Sequence, residues 1–159
     1  MSRGDTAKKL FLSGYNCAQS VVMSFEDMLG YDNKTIALIA QPFGGGIAGM
    51  REVCGTVSGM AIVIGILFGG DNPNDRLKRR DIYKRVQEVS QQFEKDNGSL
   101  ICRELLGMTK LGTSKGAPHD RPQNFKKRPC PELAKYAADI LESYIEEHKH
   151  EITIKTGLK

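Results

Sequence analysis

The four cysteines of this chain never fall in a Cys-x-x-Cys pair. That absence removes the thioredoxin-like motif and the zinc-ribbon knuckle, and with no Cys-x-x-Cys-His it removes covalent haem attachment as well. The cluster Gly44-Gly45-Gly46 lacks the Gly-Lys-Ser/Thr ending of a P-loop, and no clear strand precedes it, so neither common nucleotide fingerprint is met. No helix carries a dense basic stripe, and a net charge of +4 does not by itself argue for nucleic acid. Met1-Ser2-Arg3-Gly4-Asp5 runs into Lys8-Lys9 without an apolar h-region. No secretory signal is therefore expected, which favours the cytoplasm. In a reducing compartment four cysteines read as metal ligands or reactive thiols before they read as structural staples.

What is present describes one soluble domain: 159 residues, 40% apolar and 26% charged. The stretch from Phe43 to Phe68 organises it. A glycine loop leads to Cys54-Gly55-Thr56-Val57-Ser58-Gly59, and no charge appears between Glu52 and Asp71. This reads as a central helix buried on all sides. Gly55 and Gly59, four apart, give that helix a bare strip where another backbone can approach. An uncharged run of this length also raises a membrane span, but five glycines, a serine, a threonine and a cysteine dilute it. The segments on either side read as soluble amphipathic helices, so no span is expected.

Helical spacing accounts for most of the rest. A short first helix carries Ala7, Leu10 and Phe11, capped by Asp5 and ended by Gly14. A second, capped by Asn16, runs from Cys17 through Met28 and Leu29 to Gly30, and a third, capped by Asp32, closes at Pro42. Asp75 caps a long amphipathic helix ended by Asn97-Gly98. Ser99 caps a short one that contains Cys102 and stops at Gly107. The last helix opens at Pro131 with Cys130 as its cap. Residues 108–129 form a long basic loop, a lid or a disordered segment, and hold His119, the one histidine inside the body of the chain. From 148 onward a flexible tail is expected, with Ile152 to Ile154 the only candidate strand. The class is all-α: a single-domain bundle of six or seven helices over residues 1–147.

Cys17, Cys102 and Cys130 each fall at the start of a helix, and Cys54 lies within the first turn of the central one. Helix N-termini carry partial positive charge and unbonded N–H groups, which stabilise a thiolate, the form that attacks disulfides and binds metal. The simpler alternative is that cysteine is a common buried residue. With no close spacing, any site has to be assembled by packing helix starts together. Gly44, Gly45, Gly46, Gly55 and Gly59 are the candidates for close backbone approach to a cofactor.

The set Gly14-Tyr15-Asn16-Cys17-Ala18-Gln19, Phe43-Gly44-Gly45-Gly46, Cys54-Gly55-Thr56-Val57-Ser58-Gly59, Cys102-Arg103-Glu104-Leu105-Leu106-Gly107 and Cys130-Pro131 resembles the C_GCAxxG_C_C family of redox-active proteins. Those are small prokaryotic proteins with four signature cysteines and a Cys-Gly-Ala-x-x-Gly motif. This chain departs from the motif at Thr56, which puts a hydroxyl beside Cys54 where the motif has alanine. The resemblance implies that Cys17, Cys54, Cys102 and Cys130 carry the activity. Three readings follow. In thiol–disulfide exchange one cysteine, Cys54 by its glycine setting, attacks while a second resolves, and electrons pass to a redox partner or small oxidant. In a four-cysteine metal site the same residues hold a [2Fe–2S] cluster, or less readily structural zinc. In a helical binding module the cysteines are incidental. Nothing in the sequence sets an oligomeric state.

Overall fold

The computed structural model describes residues 1–107 and 129–153. Among them are eight α-helices, two 3-10 turns and no strand, so the chain is all-α. The helices are α1 (Arg3–Leu12), α2 (Cys17–Met23), α3 (Glu26–Leu29), α4 (Asn33–Ala40), α5 (Gly55–Phe68), α6 (Arg76–Asn97), α7 (Cys102–Leu105) and α8 (Cys130–His148). The expected basic loop lies outside the described residues except for Pro129, which caps α8. Residues 154–159 lie outside them too.

Most helix boundaries follow their caps. Asn16 and Gln19 form a capping box at the start of α2, Asp32 accepts from the Thr35 amide at α4, and Gly30 and Gly98 end α3 and α6 in left-handed conformations. Three details differ from the sequence expectation, the first being that α7 is capped by Ile101 and not by Ser99, whose hydroxyl accepts from the Ile101 amide at 3.0 Å. The cap of α1 is Ser2, and Asp5 is its partner three residues on, closing a capping box. The last helix begins at Cys130 itself, one residue early.

The expected second helix is two helices, because Ser24 diverts its ends. Its hydroxyl donates to the Val21 carbonyl at 2.6 Å, and its own carbonyl accepts from the Arg3 guanidinium at 2.8 Å. That carbonyl is thereby turned from the helix ladder toward α1. Arg3 also lies 5.3 Å over the Phe25 ring and pairs with Asp27.

α5 is the centre of the core. Val57, Met60, Val63, Ile64, Leu67 and Phe68 are buried in one cluster with Val21 and Val22 of α2, Val89 and Phe93 of α6, and Leu133, Ala137 and Leu141 of α8. The helix is not buried on all sides as expected. Ser58, Ala61, Ile62 and Ile66 are half-buried and Gly65 is exposed, so one stripe of small and aliphatic residues reaches the surface. Among the described residues no helix is long and apolar enough to cross a membrane.

The start of the expected flexible tail is ordered. α8 continues to His148, Lys149–Glu151 form a 3-10 turn, and the Thr153 amide donates to the Leu67 carbonyl at 2.8 Å. Glu151 reaches Arg85, a nearly buried cation whose guanidinium lies 4.4 Å over the Phe68 ring and also pairs with Asp81. That buried charge needs partners, and holding Glu151 close supplies one.

α6 has a single side-chain cap, the Asp75 carboxylate accepting from the Lys78 amide at 2.9 Å. Asp75→Ala is expected to cost about 1 kcal/mol. A thermal melt reads this as a midpoint lower by about 2–4 °C.

Candidate thiol site

All four cysteines line one cavity of about 800 Å³. The fold brings them there from four helix starts. Cys17 is the first residue of α2, Cys54 caps α5, and Cys102 and Cys130 open α7 and α8. Cys54 and Cys102 are buried, at 5% and 7% exposure, whereas Cys17 and Cys130 are half-buried.

Cys54 and Cys102 are set by a pairing that sequence periodicity gave no sign of. The Cys54 amide donates to the Leu100 carbonyl at 2.8 Å, and the Cys102 amide to the Glu52 carbonyl at 2.6 Å, on either side of an isolated bridge between Val53 and Ile101. Arg103 ties the same segments, its guanidinium meeting the Glu52 carboxylate at 3.0 Å and the Arg51 carbonyl at 3.2 Å. The two cysteines therefore sit where neighbouring extended segments pass into their helices, Cys54 as the cap of α5 and Cys102 as the first residue of α7.

The glycine loop turns in an unusual sense to reach that pairing. Five consecutive residues, Gly45, Gly46, Ile47, Ala48 and Gly49, have positive φ between 48° and 76°, and Arg51 follows at 62°. Left-handed backbone costs about 1–2 kcal/mol at each residue that is not glycine. Bonds from the Ala48 amide to Pro42, from Arg51 to Gly45 and from Glu52 to Gly46, at 2.7–2.9 Å, hold it. Only glycine fits at 46, where an added Cβ would lie 2.7 Å from the Cys102 Cβ and from the Glu52 amide nitrogen.

Gly55 does for Cys17 what Gly46 does for Cys102. A Cβ at Gly55 would overlap the Cys17 sulfur and lie 2.8 Å from the Phe43 carbonyl oxygen. The Cys17 sulfur thus rests on the α-carbon of the residue that follows Cys54. One turn on, a Cβ at Gly59 would lie 2.9 Å from Val21 Cβ and 3.1 Å from the Ala18 carbonyl. The expected strip is real, and it is α2 that fills it. Of the glycines expected to hold a cofactor, Gly44, Gly45 and Gly55 line the cavity, whereas Gly46 and Gly59 are used in packing.

The surroundings of Cys54 act strongly on its thiol. Burial pushes the Cys54 thiol up to about 12, and a charge on Cys17 would raise it further. The Thr56 hydroxyl, itself fully buried and 3.1 Å from Cys54 Sγ, opposes that rise, as does the Thr56 amide. The departure from the alanine of the motif thus contacts the sulfur directly. Burial therefore works against the expectation that Cys54 leads the attack. Arg51 Nη1 lies 3.8 Å from Cys102 Sγ, placing a guanidinium among the thiols. Sequence reasoning missed Arg51; the one signal was a lone cation closing a glycine-rich run just before a cysteine.

Among the described residues no group of three or more Cys, His, Asp or Glu side chains is gathered as a metal ion requires.

An all-α protein that gathers four cysteine-bearing helix starts around one cavity is thereby defined. The family model described as "Putative redox-active protein (C_GCAxxG_C_C)" matches residues 15–144. The chain belongs to this family. Neither a curated protein nor a solved structure matches it.

Proposed function

We propose that this protein is a dithiol redox protein in which Cys17 attacks and Cys54 resolves. The observation that carries the reading is the seat of the Cys17 sulfur on Gly55, directly beside Cys54. The influence of Cys17 on the Cys54 thiol supports the same proximity. Of the two, Cys17 is the more accessible and opens α2 at the rim of the cavity. Cys54, buried and held in the thiol form, suits the second step, when a mixed disulfide on Cys17 lies next to it. Cys102 and Cys130 face the same cavity, where exchange can pass the oxidising equivalent onward.

The test is a disulfide map. The reduced protein is treated with one equivalent of a small disulfide, quenched in acid, digested and read by mass spectrometry. The expected product joins the peptides of Cys17 and Cys54. A first-formed bond that leaves out either of them overturns the assignment.

A further inference from the structure

The cavity has a chemistry beyond its sulfurs. About 800 Å³ is the size of a site for a small organic molecule. Phe11, Leu12, Leu106 and Leu133 give it apolar walls. Among the described residues Arg51 is the one charged side chain that lines it, and no carboxylate does. Arg51 is half-buried, and its guanidinium lies at the depth of the thiols, against Cys102 Sγ. An anion drawn in there meets a cation with little water between them, so the attraction exceeds its value at an open surface.

We infer that the substrate is a small organic disulfide with an apolar body and a carboxylate, the body against the leucines and the carboxylate on Arg51. This rests on the dithiol reading above. The Cys17 thiolate attacks one sulfur of R–S–S–R, forming a mixed disulfide, and R–S⁻ leaves and takes up a proton. Cys54 gives its proton to solvent, and its thiolate attacks Cys17 Sγ. The second R–S⁻ leaves, and a Cys17–Cys54 disulfide remains. Two electrons pass from the protein to the substrate, yielding two R–SH. A dithiol reductant, dithiothreitol in the assay, restores the pair.

The test compares two aromatic disulfides of opposite character at neutral pH, the dianionic 5,5′-dithiobis(2-nitrobenzoate) and the uncharged 4,4′-dithiodipyridine. Stopped-flow absorbance follows thiol release from each, and every rate is divided by that of a simple model thiol. The parent protein is expected to favour the dianion by about tenfold, the effect of one partly buried charge pair. Arg51→Met should bring this ratio to about that of the model thiol, and Arg51→Lys should retain most of it. A ratio in Arg51→Met equal to that of the parent, or no preference in the parent, overturns the substrate class. Cys17→Ser on the same two probes reports on the underlying reading: if it keeps the parent's fast phase, the dithiol assignment itself falls. Loss of the fast phase in Cys17→Ser with no change of ratio in Arg51→Met overturns the substrate class alone.

Discussion

Cys17→Ser is expected to slow the first release of thiol from a small disulfide by about 100-fold or more, since a serine hydroxyl does not replace a thiolate in exchange. Cys54→Ser is expected to behave differently. The first release persists, the second is lost, and the protein gains the mass of one R–S group on Cys17. The pH dependence of the parent follows from the burial of Cys54. Its thiol is pushed up to about 12, so at neutral pH only a small fraction is thiolate. That fraction grows about tenfold per pH unit until the pKa is approached. The second release should therefore accelerate about tenfold for each unit between roughly pH 7 and pH 9. Stopped-flow release at two probe concentrations separates the steps, because only the first depends on concentration. A Cys17→Ser protein that reacts at the parent rate would remove Cys17 from the mechanism. A second release indifferent to pH would remove Cys54.

The parts of this fold that were legible in the sequence are those fixed by local chemistry. Asn16, Asp32 and Asp75 announce their helices because a short polar side chain can satisfy an amide of the first turn, and each does. Gly55 and Gly59 announce a close crossing because only a missing Cβ permits one. The positions of the four cysteines at helix starts follow from the same signals. What could not be read depends on contacts between distant segments. The break after Met23 requires Arg3 to arrive from α1. The pairing of residues 52–54 with 100–102 joins segments nearly fifty residues apart through backbone groups that any side chain would supply. The left-handed run through Ile47, Ala48 and Arg51 goes against the preference of each of those residues, and the surrounding bonds impose it. The rise of the Cys54 thiol could not be read for a related reason. A helix N-terminus can be seen in the sequence, but the depth at which it is buried is set by every other helix.

Gly55→Ala sets these two kinds of information against each other. In helix propensity alone alanine is better than glycine by about 1 kcal/mol. At Gly55 the new methyl would overlap the Cys17 sulfur, with the Phe43 carbonyl oxygen at 2.8 Å and the Ala18 amide nitrogen at 3.3 Å. The sulfur can rotate away, but the two backbone groups cannot easily retreat. Phe43 is where the left-handed loop takes its first bond, and Ala18 is held to α5 by the close contact at Gly59. Overpacking of this kind costs about 1–3 kcal/mol, sometimes more. A net loss of about 2 kcal/mol is expected, read as a lower urea midpoint at unchanged slope. Gly65→Ala on the same helix is the control. Gly65 is exposed and a Cβ there meets nothing within 4 Å, so that variant should gain about 0.5–1 kcal/mol. Two identical substitutions ten residues apart in α5 should thus move the midpoint in opposite directions. Equal midpoints would mean that α2 does not press on α5 at the thiols. A Gly55→Ala protein that keeps its midpoint but loses the fast release would show instead that the glycine serves the seat of the Cys17 sulfur more than the stability of the core.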